Sequence, residues 1–150
     1  MKRRWTWLIL VVGIAMADGL LKHEALNRFA LSVSRQNGAF MAFGLHKNPG
    51  ILFDLPVPQP LVWIATLILV GILGRMAWFE RTRNPLFTFG AVVTIVGAAG
   101  NFFDRLLNGF TTDYLLFFTG AAINLSDLII IGGLLTLIHS HTLTKGKKRG

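Results

Sequence analysis

The chain has no cysteine, one tyrosine and seven acidic residues against fifteen lysines and arginines in 150 positions. Without thiols there is no disulfide framework, no thiolate metal site and no cysteine nucleophile. The histidines, His23, His46, His139 and His141, include no H-E-x-x-H spacing of a zinc peptidase, and no glycine-rich phosphate loop is present. Ser126 has no histidine near it in sequence, so a serine triad is unsupported. Neither a cofactor nor a metal is expected. Charged residues are 15% of the chain, well under the ~25% of soluble domains, and 53% is apolar. What remains is an oily chain with a few acids, and those acids carry the functional argument.

Four apolar stretches are long enough to span a bilayer, which needs about 20 residues: Trp5–Leu21, Leu61–Phe79, Pro85–Phe103 and Ala121–His139. The expected fold is a single all-α membrane domain over residues 1–150, with four transmembrane helices and a small outer-face β-sheet or loop segment at residues 23–59. The net charge of +8 falls in three clusters: Lys2, Arg3 and Arg4; Arg81 and Arg83; and Lys145, Lys147, Lys148 and Arg149. With four spans these lie on one side, which the positive-inside rule makes cytoplasmic. Both termini are then cytoplasmic and the basic tail meets anionic lipid. A nucleic-acid footprint clusters instead on one soluble face, so no nucleic-acid partner is expected.

The N-terminus has two readings. Basic residues, an apolar run and Ala15-Met16-Ala17 fit a cleavable signal; the alternative, favoured here, is an uncleaved first span in which Asp18 and Lys22 pair at i, i+4. In the outer segment, Phe29–Ser34 alternates like a half-buried strand, Gln36-Asn37-Gly38 reads as a turn and Ala39–Leu45 as a second strand. Asn48-Pro49-Gly50 breaks the chain, and Pro56, Pro58 and Pro60 stiffen the entry to the second span. Gly97 to Gly100, Gly132-Gly133 and the Gly71–Gly74 pair read as small-residue packing sites.

The informative run is Gly97 to Asp127. Asn101, Asp104 and Arg105 share a helical face at the outer end of the third span, Asn124 and Asp127 repeat the i, i+3 relation at the start of the fourth, and Asp113 lies in the loop between. Charged groups at membrane depth are rare and mark function by default. Two aspartates at one membrane face suggest a pair sharing one proton, since like charges about 3 Å apart cannot both ionise. One then deprotonates water while the other protonates a carbonyl oxygen. The structural alternatives are an Asp104–Arg105 ion pair at a helix end, a structural Asp18–Lys22 pair, and solvated acids at Asp113 and Asp127. For the last two acids, the company of Asn101 and Asn124 favours chemistry.

Gly97-Ala98-Ala99-Gly100-Asn101-Phe102-Phe103-Asp104-Arg105, Gly109-Phe110-Thr111-Thr112-Asp113-Tyr114 and Asn124-Leu125-Ser126-Asp127 together resemble lipoprotein signal peptidase (signal peptidase II). Its patterns there are G-G-A-x-G-N-x-x-D-R, G-x-V-x-D-F and F-N-x-A-D. Asp18 and Lys22 match its D-x-x-x-K, and Gly38-Ala39-Phe40 its outer N-x-G-A. The resemblance implies a membrane aspartyl endopeptidase of the bacterial inner membrane, cutting diacylglyceryl-modified prolipoproteins just before the lipidated cysteine. It implies Asp113 and Asp127 as the catalytic pair, with Asn101, Arg105, Asn124, Asp18, Lys22, Gln36, Asn37 and Gly38 binding substrate or supporting the site. Val96, Thr111, Ile123 and Ser126 depart from the pattern, and Gln36 stands where asparagine is expected. The alternatives are a catalytically silent membrane-binding paralogue or a small four-span transporter.

Overall fold

The computed structural model describes residues 2–29, 40–51 and 55–147. Its elements are α1 (Lys2–Phe29), β1 (Met41–Asn48), α2 (Gln59–Glu80), α3 (Pro85–Asn108), β2 (Thr111–Phe117), β3 (Ala122–Ile123) and α4 (Leu125–Lys147). All four helices are long and apolar enough to cross a membrane. The molecule is inside-out relative to a soluble protein. Ile9, Leu20, Leu69, Leu107 and Leu135 are exposed, whereas Asp18, Lys22, Asn101, Asp104, Asp113 and Asn124 are buried.

The elements begin and end where local chemistry dictates. Asn84 caps α3 by accepting from the Phe87 N–H at 3.1 Å, with Pro85 following it in the first turn. Gly109 ends α3 in the left-handed conformation at φ 78°, its N–H donating to the Arg105 carbonyl. The first helix continues past its expected end at Leu21, because Lys22–Phe29 contains no breaker and Glu24 pairs with Arg28 at i, i+4. At 28 residues it is about 42 Å long, so it projects beyond the ~30 Å hydrocarbon core. The fourth helix starts later than expected, at Leu125, because Ala122 and Ile123 are spent in β3.

The sheet is the main departure from the sequence reading. Its order is β1-β2-β3, all antiparallel. It is therefore assembled from the α1–α2 and α3–α4 connections together rather than from residues 23–59 alone. Phe29 closes α1 instead of opening a strand, and the rest of the expected strand to Ser34, together with Gln36, Asn37 and Gly38, lies outside the described residues. The expected apolar strand at Ala39–Leu45 is β1, shifted to Met41–Asn48.

Helices α3 and α4 meet through small residues. A Cβ on Gly97 would stand 2.7 Å from the Ser126 carbonyl oxygen, and one on Gly90 3.0 Å from that of Gly133. On Gly100 it would collide with the Ser126 hydroxyl. This is the close approach that small residues permit in membranes. Gly71, Gly74 and Gly132 have open space around them instead, so their expected packing role is not observed. The tight α3–α4 contact fixes the mouth of α4 against the C-terminal half of α3.

Candidate active site

The site is built on the mouth of α4. Asn124 precedes the helix and its Oδ1 accepts from the Asp127 N–H at 3.0 Å, while Asp127 Oδ2 accepts from the Asn124 N–H at 3.2 Å. This reciprocal pairing has the form of a capping box. It holds Asp127 in the first turn of α4, at the helix entrance rather than deeper in the span as a start at Ala121 had implied. The same Asn124 donates its Nδ2 to Asp113 Oδ1 at 2.6 Å. One carboxamide thus links both aspartates. Asp113 stands on β2, where strand pairing sets it opposite His46, and is not in a loop.

From the other side, Asn101 on α3 donates Nδ2 to Asp127 Oδ1 at 2.7 Å, and its own Oδ1 accepts from Lys22 Nζ at 2.8 Å. Lys22 is buried and pairs with Asp18 at 2.9 Å and Asp104 at 3.4 Å. The expected Asp18–Lys22 pair is present, and it sits behind Asn101. Asp18 also accepts from the Tyr114 hydroxyl (2.8 Å), the Leu125 N–H (3.0 Å) and the Ser126 hydroxyl (2.7 Å). Burial, the largest cause, pushes the Tyr114 phenol above its ordinary range, and the Asp18 charge acts the same way.

The expected Asp104–Arg105 pair is not observed. Consecutive helical residues point about 100° apart and do not face each other. Asp104 turns inward to Lys22, to the Thr112 N–H and hydroxyl (2.6 and 3.1 Å) and to Asn108 (2.7 Å). Arg105 turns to the site mouth, donating Nη2 to the Gly50 carbonyl at 3.1 Å. Its charge acts on both Asp113 and Asp127, and its Nε is buried with no hydrogen bond among the described residues.

Sequence reasoning missed two contributors. Tyr114 carried a signal, as the sole tyrosine of the chain beside an aspartate; a buried tyrosine hydroxyl needs a partner. Asn48 read only as a chain break, yet its Nδ2 lies 3.3 Å from Asp113 Oδ2. Ser126, a departure from the resembled pattern, faces Asp18. Among the described residues no three His, Asp or Glu side chains gather in a metal-holding group.

Burial, and then the charge of Asp127, raise the Asp113 carboxyl to about 6; the hydrogen bonds from Asn124 and Asn48 and the charge of His46 pull it the other way. The folded protein therefore binds this proton more tightly than the unfolded chain. Ionised Asp113 costs stability above pH ~6, on the order of 3 kcal/mol, and the cost fades as pH falls toward the ordinary carboxylate value. Asp113→Asn removes that cost but sets its NH2 against the Asn48 amide, so its gain in melting temperature over the parent is expected to be larger at pH 8 than at pH 5. An equal gain at both pH values would show that the charge is not its source.

The signal peptidase (SPase) II family model matches residues 10–143. The chain belongs to the signal peptidase II family. Among its relatives, the lipoprotein signal peptidase of Shewanella oneidensis is 31% identical over 144 residues, covering 90% of this chain and 84% of that protein. That of Coxiella burnetii strain Dugway is 29% identical, covering 98% and 96%, and that of Escherichia coli O1:K1 is 32% identical, covering 97% and 94%. A solved structure, described as a bacterial membrane enzyme at 2.3 Å resolution, superposes with a TM-score of 0.76 at 20% identity, covering 95% of this chain and 91% of that one, and so shares the fold. A second, at 1.9 Å, has a TM-score of 0.66, also at 20% identity, covering 90% and 91%. As a signal peptidase II, the chain is a multi-pass bacterial inner-membrane protease that processes the signal peptides of prolipoproteins.

Proposed function

We propose that the chain is an aspartic endopeptidase that cleaves diacylglyceryl-modified prolipoproteins just before the lipidated cysteine, with Asp113 and Asp127 as its catalytic pair. The observation that carries this reading is the sharing of Asn124: its carboxamide binds Asp113 while its backbone N–H and side-chain oxygen bind Asp127. Two acids from different elements are thereby aimed at one place. The ionised member takes a proton from water as the protonated member donates one to the scissile carbonyl oxygen. The unfilled Nε of Arg105 suits a substrate backbone carbonyl. A four-span transporter has no comparable support, since the buried acids Asp18, Asp104 and Asp113 gather with Asp127 at the sheet end of the bundle.

Purified enzyme is expected to cleave a diacylglyceryl-modified prolipoprotein and to leave the unlipidated precursor intact, as read on a gel. Equal cleavage of both would remove the lipid from the recognition scheme. A folded enzyme that cleaves neither would make the chain a silent paralogue.

The reading also requires the sheet to lie outside and both termini to be cytoplasmic. The cysteine-free chain makes this simple to test. A cysteine placed at His46 on β1 is expected to react with a membrane-impermeant maleimide in spheroplasts, and one at Thr82, in the turn between α2 and α3, is expected not to. The reverse pattern would overturn the orientation.

A further inference from the structure

Each of the two acids accepts one hydrogen bond on each of its oxygens, but from different kinds of support. Asp127 is bound by its own helix turn through Asn124 and by Asn101 from α3. Asp113 sits on a strand, and its carboxylate plane turns about a torsion that is intrinsically broad. One donor on one oxygen leaves that rotation open, whereas donors on both oxygens from different elements close it. Asn124 occupies Oδ1, and the amide that reaches Oδ2 belongs to Asn48 at the end of β1.

The orientation of the Asn48 carboxamide is itself determined. Its Oδ1 accepts from the Gly50 N–H at 3.0 Å, forming an Asx turn, so only the Nδ2 side can face Asp113. The turn is clamped in two further places. The Gly50 carbonyl accepts from Arg105 on α3, and the Pro49 carbonyl accepts from Gln59 at the start of α2. The Asn48-Pro49-Gly50 segment is thus a rigid bracket tied to α2 and α3, with one arm on a catalytic oxygen.

We propose that Asn48 is a positioning residue for the peptidase reaction, holding the carboxylate plane of Asp113 through Oδ2 so that Oδ1 and the Asp127 carboxyl converge on the same water. This deepens the catalytic-pair reading and rests on it. The other charged or titratable groups acting on Asp113 are Asp127 from α4, Arg105 from α3 and His46 from β1, while Asp18 and Lys22 of α1 act on Asp127.

Two substitutions separate the bracket from its arm. Asn48→Ala removes both the turn and the donor. Asn48→Ser keeps a hydroxyl that can accept from the Gly50 N–H but cannot donate across to Asp113. With lipidated prolipoprotein as substrate, both variants are expected to lose kcat about tenfold or more, the scale of one hydrogen bond to a charged group. KM is expected to stay within about twofold, as for an interaction that acts on the transition state rather than on substrate binding. The pH profile of kcat/KM is expected to move to higher pH, because the ionised form of Asp113 loses a donor. Parental kcat and an unmoved profile in Asn48→Ser, alongside an inactive Asp113→Asn, would overturn the positioning role while sparing the catalytic pair. A fall in folded yield with parental kinetics in the surviving enzyme would overturn it as well, by making Asn48 merely structural. Parental turnover in Asp113→Asn would bring down both readings together.

Discussion

Asp113→Asn and Asp127→Asn are each expected to lower cleavage of lipidated prolipoprotein by at least 10²–10⁴-fold, roughly the range of acid–base catalysis, while the protein still folds and binds substrate. Asparagine retains the shape and keeps one oxygen, for the Asn124 amide at position 113 or the Asn101 amide at position 127. Its NH2 then faces the Asn48 amide or the Asn124 N–H, which costs some folded yield, and the loss of turnover per folded molecule is expected to be chemical. The substitution removes the one capacity that water activation requires, a carboxyl that gains and loses a proton. The double variant is expected to be no worse than either single one, because residues acting as a unit are non-additive. Asp104→Asn is the control. Its carboxylate binds Lys22, Thr112 and Asn108 and makes no observed bond to either member of the pair, so turnover per folded molecule is expected to remain measurable. Cleavage assays on the detergent-purified set decide the matter. Substantial activity in either member of the pair would refute the mechanism, and equal loss in all three would deny the pair its special standing.

Asp18→Asn is expected to act on the fold instead. The buried Asp18 carboxylate joins α1 to β2 through Tyr114 and to α4 through Leu125 and Ser126, while neutralising Lys22. Removing one member of a buried ion pair costs about 3–5 kcal/mol, because the other is left uncompensated. The partial partners of Lys22 at Asn101 and Asp104 soften this to the lower part of that range. Folded yield and melting temperature are expected to fall sharply, with the surviving molecules still turning over substrate. Lys22 holds the Asn101 that holds Asp127, so some loss of kcat is expected to accompany the loss of stability. Normal yield and stability with no turnover would move Asp18 into the catalytic group.

The length of apolar runs and the scarcity of charge are one-dimensional properties, and they determined the membrane class, the four spans and their order. Spacing at i, i+3 and i+4 likewise determined which polar residues share a helix face, as with Asn101 and Asp104, or Asp18 and Lys22. Asn124 and Asp127 were legible as an i, i+3 pair, but inside a helix begun at Ala121, whereas Asn124 precedes α4 and caps it reciprocally with Asp127. What spacing could not supply was any partner across the fold. Asn48 reaches Asp113 across 65 positions and Ser126 reaches Asp18 across 108. The pairing of β1 with β2 joins the α1–α2 and α3–α4 connections, which only the antiparallel packing of the helices brings to the same end. Asp104 and Arg105, adjacent in sequence, were separated by the helical turn into an inward and an outward role. Local hydrogen bonding and hydropathy are written along the chain, whereas the plane of the Asp113 carboxylate depends on donors from several elements at once, and only the tertiary structure decides which ones arrive.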